Sequence, residues 1–301
     1  MLMSDKRRYL LVDGMAILFR AYFATSFTGK IRRTSSGVPV NAVHGFVRYF
    51  VDAVQTYQPS HVICCWDMGS TTFRTEQYGE YKANRPEAPE DLIPQFDLVK
   101  EVVSSFDVPN IGLNGYEADD CMGTLAAKLG KEYEVVIVTG DHDMLQLVDE
   151  QVKVAIMKKG IGNYQLYTPQ SLLEEKGLTP AQVIDVKGLM GDTADNYPGV
   201  KGIGEKTAYK LIQQFGTIEG LLANLDQVSP TIRKKIEENL DMLHLSRKLA
   251  TIYCEAPLPL EELNDEACRW CVNKQQVLYK FDELEFGSLS KLIDQLEPIG
   301  A

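Results

Sequence analysis

Tyr9-Leu10-Leu11-Val12-Asp13 is a short apolar run that ends on an acid, and how it is read decides the fold. Residues 61–67, His-Val-Ile-Cys-Cys-Trp-Asp, and 134–139, Glu-Val-Val-Ile-Val-Thr, repeat the pattern. All three are rich in β-branched or aromatic side chains, and each is followed by helical patterning. Continuous apolar runs of this length read as strands buried on both faces, and helical crossovers between them make the sheet parallel. The expected fold class is α/β. Each run ends on or just before an acid: Asp13, Asp67, and Asp141 with Asp143. In open α/β sheets ligands bind beyond the carboxyl ends of the strands, so acids far apart in the chain should converge there. A fourth group, Glu117-Ala118-Asp119-Asp120, opens a helix expected over 121–130 after the segment 110–113, with Glu117 and Asp120 on one helical face. Acids at a helix start also complement its dipole, the plainer explanation for any one group. Four groups near strand ends argue for a shared ligand.

The chain's 301 residues exceed the usual size of one domain, and 45% hydrophobic content supports a proper core. Lys6-Arg7-Arg8 before residues 9–12 imitates a signal peptide, but Asp13 interrupts the apolar run and no small-residue cleavage site follows. No later stretch reads as a membrane span, so a cytoplasmic, non-membrane protein is expected. Six cysteines in that setting should stay reduced. Cys64-Cys65 reads as core. Cys268 and Cys271 have zinc-ligand spacing but lack a second pair nearby, so a buried thiol pair is expected instead.

A second stretch joins acids to a glycine hairpin: Gly191-Asp-Thr-Ala-Asp195-Asn-Tyr-Pro-Gly-Val-Lys201-Gly-Ile-Gly-Glu-Lys206-Thr-Ala208. Gly202 and Gly204 are expected to take positive φ, and the amides from Gly204 to Lys206 open a helix and favour an anion. Asp192 and Asp195, three apart, are near enough to share a cation. An ordinary turn with a solvated cap explains the glycines alone, but not the neighbouring acids.

Between residues 67 and 91 the composition turns to Gly, Thr, Tyr, Arg, Lys and Pro, which reads as a long mobile loop, a lid or a disordered insertion. From residue 179 helix signals dominate, at 180–190, 205–215, 217–222 and 230–249. The expected organisation is an α/β domain over 1–178 with the loop at about 68–91, a smaller helical domain over 179–250, and a segment over 251–301, with a helix near 289–296, that packs back on the body. No internal repeat or low-complexity segment is evident.

A net charge of −11 is unusual for a protein that binds phosphates. Basic residues nevertheless gather at 30–33, 74–85, 201–210 and 233–235, the last also readable as a solvated helix face. Nine carboxylates in one crevice cannot all ionise without compensating cations. Oxygen ligands with few histidines suit hard ions, Mg²⁺ or Mn²⁺. So many ligands suffice for two ions, an arrangement suited to phosphodiester hydrolysis.

Taken together, Leu11-Val-Asp-Gly14, Trp66-Asp67 with Thr72-Phe-Arg74, Tyr81-Lys-Ala-Asn-Arg85, Tyr116-Glu-Ala-Asp-Asp120, Thr139-Gly-Asp-His-Asp-Met-Leu-Gln146 and the 191–208 stretch resemble the 5′-nuclease, or flap endonuclease, family. Within it the likeness is greatest to the bacterial 5′-to-3′ exonuclease domain found at the N-terminus of DNA polymerase I, over about the first 250 residues. That resemblance implies a PIN-like parallel-sheet domain with a helical arch and a helix-three-turn-helix module. It implies a structure-selective 5′-to-3′ exonuclease and flap endonuclease acting in replication and repair. By position, Asp13, Asp67, Glu117, Asp119 and Asp120 resemble a first metal group, and Asp141, Asp143, Asp192 and Asp195 a second, some acting through water. Lys82 and Arg85 look like arch cations that hold the scissile phosphate, and Tyr81 like an aromatic that stacks on a nearby base. Arg74 falls with the DNA-binding cations; Arg20 does too, although an Arg snorkelling from the core is nearly as apt. Gly202, Gly204, Lys206 and Thr207 would grip duplex backbone without reading bases. The implied cofactors are two or more Mg²⁺, with Mn²⁺ as a substitute, and K⁺ at the hairpin. The implied partners are DNA with 5′ flaps, nicks or free 5′ ends, and RNA–DNA hybrids, bound by a monomer.

The chain carries no polymerase portion, so a freestanding nuclease and a fragment are both open. Two rival readings remain. One is a DNA-structure-binding module that lost catalysis, which a missing acid would favour; none is missing. The other is a metal-dependent phosphatase suggested by Asp141-His-Asp143, which leaves the glycine hairpin unexplained.

Overall fold

The structure, a computed structural model, describes residues 7–27 and 29–296. Lys6 and residues 297–301, which belong to the signal-like start and the C-terminal segment read above, lie outside them. The body opens with β1 (Arg8–Asp13), α1 (Gly14–Ser26), α2 (Asn41–Tyr57), β2 (His61–Cys65), α3 (Phe73–Gln77), α4 (Gln95–Ser105) and β3 (Asn110–Ile111). It continues through α5 (Ala118–Leu129), β4 (Glu134–Thr139), a 3₁₀ turn (His142–Leu147), β5 (Val152–Met157), β6 (Tyr164–Tyr167) and α6 (Pro169–Lys176). The sheet order is β3-β2-β1-β4-β5-β6. The three apolar runs form its centre, and Leu10, Leu11, Val12, Ile63 and Ile137 are wholly buried, as expected of strands covered on both faces.

Parallel register is what gathers the acids. Asp13 lies opposite Cys65 on β2, and Val12 opposite Val138 on β4. Asp67 follows two residues after the first of those partner positions and Asp141 three residues after the second, on the same sheet edge. Two strands had no signal strong enough to read from sequence, β5 and β6, and β6 departs from the all-parallel expectation by pairing antiparallel to β5. Only six residues separate them, with Gly160 and Gly162 at positive φ, and so short a link permits only an antiparallel return.

One face is covered by α1, α2 and α4, with Phe46, Phe50 and Phe106 in its core; the other is covered by α5. The helical region comprises α7 (Pro180–Met190), α8 (Glu205–Phe215), α9 (Ile218–Ala223), α10 (Pro230–Glu237) and α11 (Leu240–Ala250) around Leu189, Ile212 and Leu243. The single helix expected over 230–249 is therefore broken. Asn239 sits at the break with φ −131°, and its side chain donates to the Lys235 carbonyl, the local bonding by which Asn competes with helix.

Residues beyond 250 lie against the body: Val62 donates to the Cys268 carbonyl, Trp270 donates to Ser60, and α12 (Lys274–Glu283) and α13 (Ser290–Asp294) bring Phe281 and Ile293 into the first core. Cys268 is buried but Cys271 is exposed, so they do not form the buried thiol pair expected. Cys64 and Cys65 are core residues. Among the described residues no helix is long and apolar enough to cross a membrane.

Candidate active site

A cleft of about 530 Å³ opens at the carboxyl edge of the sheet, lined by Asp13, Asp67, Glu117, Asp119, Asp141 and Asp143, with Arg20, Lys82, Arg85, His142 and Lys187 among them. Asp13 ends β1 and caps α1: its Oδ1 accepts from Ala16 N at 2.9 Å and its Oδ2 from Thr139 Oγ1 at 2.6 Å. Burial, and beyond that the charges of Asp67 and Asp141, push the Asp13 carboxyl up to about 6 despite those bonds. Asp67 accepts from Ala118 N at 2.8 Å, which fixes the start of α5 against β2. Asp119 has no hydrogen-bond donor or ion-pair partner among the described residues, and burial followed by Asp141 and Asp13 holds it well above the carboxylate range. Burial and Asp141 likewise raise Asp143 to about 7, even though Lys187 Nζ is 2.6 Å away.

Asp192 behaves oppositely while sharing the same lysine. Its burial favours the neutral acid, but Lys187 and the amides of Asp195 and Ala194 outweigh that and lower it. Asp195 pairs with Arg85 at 2.6 Å. Asp192 and Asp195 thus face different cations, Lys187 and Arg85. Lys82 Nζ sits 2.5 Å from Glu117 Oε1. Among the described residues no three acids form a ready-made metal cage, and lysine and arginine head groups lie on Glu117, Asp195, Asp143 and Asp192.

The segment 68–94 is ordered by this site. Its helix is confined to Phe73–Gln77, and turns follow. Lys82 N donates to the Asp195 carbonyl, Asn84 to the Thr193 carbonyl, and Asn196 to the Glu80 carbonyl, so the segment is tied to the 191–197 loop. Lys82 has a φ of 56° at this crossing.

Three residues read from sequence as site groups have other surroundings. Asp120 is fully buried and accepts both Arg74 Nη atoms at 2.7 Å, together with Glu117 N and Tyr253 N. Arg74 is 2% exposed, and it also donates to the carbonyls of Leu249 and Thr251. It cannot present itself to DNA; it joins α3, α5 and the end of α11. Tyr81 is 4% exposed, its ring parallel to that of Tyr197 and its hydroxyl donating to Glu117 and Asp195. With that face covered, it cannot stack on a base in this conformation. The chain signals were indistinct in each case, since a buried ion pair uses the same residue types as a metal site. Arg20 lines the cleft, although its guanidinium is anchored on the carbonyls of Met157 and Lys158.

The hairpin differs from expectation at one glycine. Gly202 has φ 81°, as expected, but Gly204 has φ −95° and is the N-cap of α8. An extended N-cap needs no glycine, so of these two only Gly202 has a positive-φ requirement. Lys206 is exposed and Thr207 partly so. Lys235 Nζ donates to the Gly202 carbonyl at 2.8 Å, tying α10 to the hairpin. Sequence reasoning missed Lys187 and Thr139, whose roles require contacts across elements. Asp192 five residues after Lys187 was the one local hint.

The family model described as "5′-3′ exonuclease, N-terminal resolvase-like domain" matches residues 8–177, and "5′-3′ exonuclease, C-terminal SAM fold" matches 178–271. The chain is 53% identical to the 5′-3′ exonuclease of Bacillus subtilis (strain 168) over 254 residues, covering 84% of this chain and 86% of that protein. It is 41% identical to DNA polymerase I of Bacillus caldotenax over 285 residues, covering 94% of this chain but 32% of the polymerase. Among solved structures, T5 5′-exonuclease with bound zinc superposes at TM-score 0.68 and 22% identity, covering 93% of this chain and 99% of that one. At that identity the likeness concerns the fold. A resolvase-like N-terminal body followed by a C-terminal unit is what these matches share with the molecule described above. The chain belongs to the 5′-3′ exonuclease family.

Proposed function

We propose that this chain is a structure-selective 5′-nuclease that hydrolyses phosphodiester bonds at 5′ ends and flaps of DNA with Mg²⁺, or Mn²⁺ in its place. The observation that carries this reading is the meeting, in one cleft, of acids from β1, the β2 and β4 ends and α5 with the two cations Lys82 and Arg85. The relatives supply the direction: the matched Bacillus subtilis protein is named a 5′-3′ exonuclease. The T5 structures are described with divalent metal ions and, in one case, with DNA.

The acids fit a hard divalent ion. Asp13, Asp119 and Asp143 are all held above their ordinary values, first by burial and then by neighbouring carboxylates, and the donors are oxygens. Asp13, Asp67, Glu117, Asp119 and Asp141 would hold such an ion near the sheet, and Asp143, Asp192 and Asp195 another beside α7. Bound there, divalent ions lower the pKa of water and offset the charge of a phosphate. Lys82 and Arg85 then hold the phosphate, a task open to them once Glu117 and Asp195 find another cation. Tyr81 braces Glu117 against Asp195, while Asp120 and Arg74 lock the start of α5 to the end of α11. Gly202, the Gly204–Lys206 amides, Lys206 and Thr207 would hold duplex backbone at the α8 N-terminus.

Digestion of 5′-labelled flap, nicked and RNA-primed duplexes, with products sized to the nucleotide, tests this. Cleavage from the 5′ side that stops in chelator is expected. Full cleavage in excess chelator, or none of any 5′ substrate with Mg²⁺ or Mn²⁺, would reject it.

A further inference from the structure

Tyr197 is 2% exposed, yet its hydroxyl has no hydrogen-bond partner among the described residues. Packing explains the ring: it lies parallel to Tyr81, with centroids 6.4 Å apart, in a cluster with Leu249 and Ala250. Packing does not explain the oxygen, because phenylalanine would fill the same space without burying an unpaired polar atom. The loop carrying it is closed by reciprocal backbone bonds between Asp192 and Tyr197, at 2.8 and 3.0 Å, so the phenol is held in fixed relation to Asp192. Burial acts first on the hydroxyl, and beyond it the charges of Asp143, Asp192 and Asp195, the three acids assigned above to the second ion, with the neighbouring Asp141. Of two stacked phenols, Tyr81 has both Glu117 and Asp195 as acceptors, and Tyr197 alone stands beside those acids unengaged.

We propose that Tyr197 is a positioning residue for the cation of the second acidic group: its hydroxyl oxygen accepts a hydrogen bond from a water in that cation's shell. Lys187 Nζ already bridges Asp143 and Asp192, which marks a cation seat between them. Mg²⁺ and Mn²⁺ keep waters when bound by few carboxylates, and outer acceptors orient such waters. A phenol can accept from the water while giving its own proton to a carboxylate. The inference rests on the metal reading above.

The test uses the full chain and Tyr197→Phe, which removes one oxygen and keeps the ring. Mn²⁺ binding is followed by electron paramagnetic resonance, and thermal melting is recorded separately in chelator. The weaker-bound Mn²⁺ should lose about tenfold in affinity, in the range known for outer-shell partners. The metal-free variant should melt at or above the parent temperature, because an unpaired buried hydroxyl has gone. A merely structural hydroxyl gives the reverse, a lower melting temperature with Mn²⁺ affinity unchanged, and either of those results overturns the proposal. If the parent binds Mn²⁺ and the variant matches it, only the role of Tyr197 falls; if the parent binds none, the metal reading falls with it.

Discussion

Asp119 and Asp120 are neighbours in one acidic motif, and replacing each by alanine should have opposite effects on the metal-free protein. Asp120 accepts four hydrogen bonds, two of them from a guanidinium that is itself buried. Without the carboxylate, Arg74 keeps only the Leu249 and Thr251 carbonyls and Glu117 Oε2 at 3.3 Å. Removing one partner of a buried pair costs about 3–5 kcal/mol, because the remaining charge is uncompensated. At roughly 2–4 °C per kcal/mol for a large domain, Asp120→Ala should melt at least ~6 °C below the parent. Asp119 has no donor and is repelled by Asp141 and Asp13, so Asp119→Ala should melt at or above the parent temperature while losing cleavage. Circular dichroism melts in chelator at pH 8 measure both, and Arg74→Met with Asp120→Ala should be strongly non-additive, by ~2 kcal/mol or more. An Asp120→Ala protein that melts like the parent would show that Asp120 is a free ligand and that the Arg74 pair does not secure α5.

Other outcomes follow from the same contacts. Lys82→Ala and Arg85→Ala should slow single-turnover cleavage yet bind Mn²⁺ more tightly, since each removes a competitor for Glu117 or Asp195; unchanged Mn²⁺ affinity in both would disprove the competition. In chelator, stability should rise as pH falls from about 7 toward 5, because folded Asp143 and Asp13, raised to about 7 and about 6, hold protons that the unfolded chain has released. Each contributes up to ~1.4 kcal/mol per pH unit; saturating Mg²⁺ should abolish the trend, and a flat metal-free profile argues against it. Gly199→Ala should be destabilising, since a Cβ there would lie 2.3 Å from Gly191 N at φ +61°, whereas Gly204→Ala meets nothing within 4 Å and should melt like the parent. Lys206→Ala should reduce the salt slope of duplex binding by about one unit, which a salt titration reads directly.

Periodicity and acid placement made the centre of this protein legible in the chain. Three apolar runs define parallel strands because a strand buried on both faces leaves no room for polar residues, and an acid at the end of such a run has only the sheet edge to occupy. Helical patterning likewise placed α7 at 180–190 and α8 at 205–215, as the structure has them. β5 and β6 were not legible, as Lys153 and Gln165 break their apolar character and their pairing depends on a turn.

The residue types of the cleft were likewise determined by the chain alone: carboxylates with the cations Lys82 and Arg85. Which carboxylates remain free was decided only by the tertiary structure. Asp119 and Asp120 are indistinguishable as letters, but a single residue step, about 100° around the helix, directs Asp120 into the body toward Arg74 and leaves Asp119 in the cleft. Tyr81 and Arg74 read as DNA contacts until burial gives them protein partners. The physical reason is that an ion pair and a metal site draw on the same charged groups, and only distance and exclusion of water, set by elements far apart in the chain, separate one from the other.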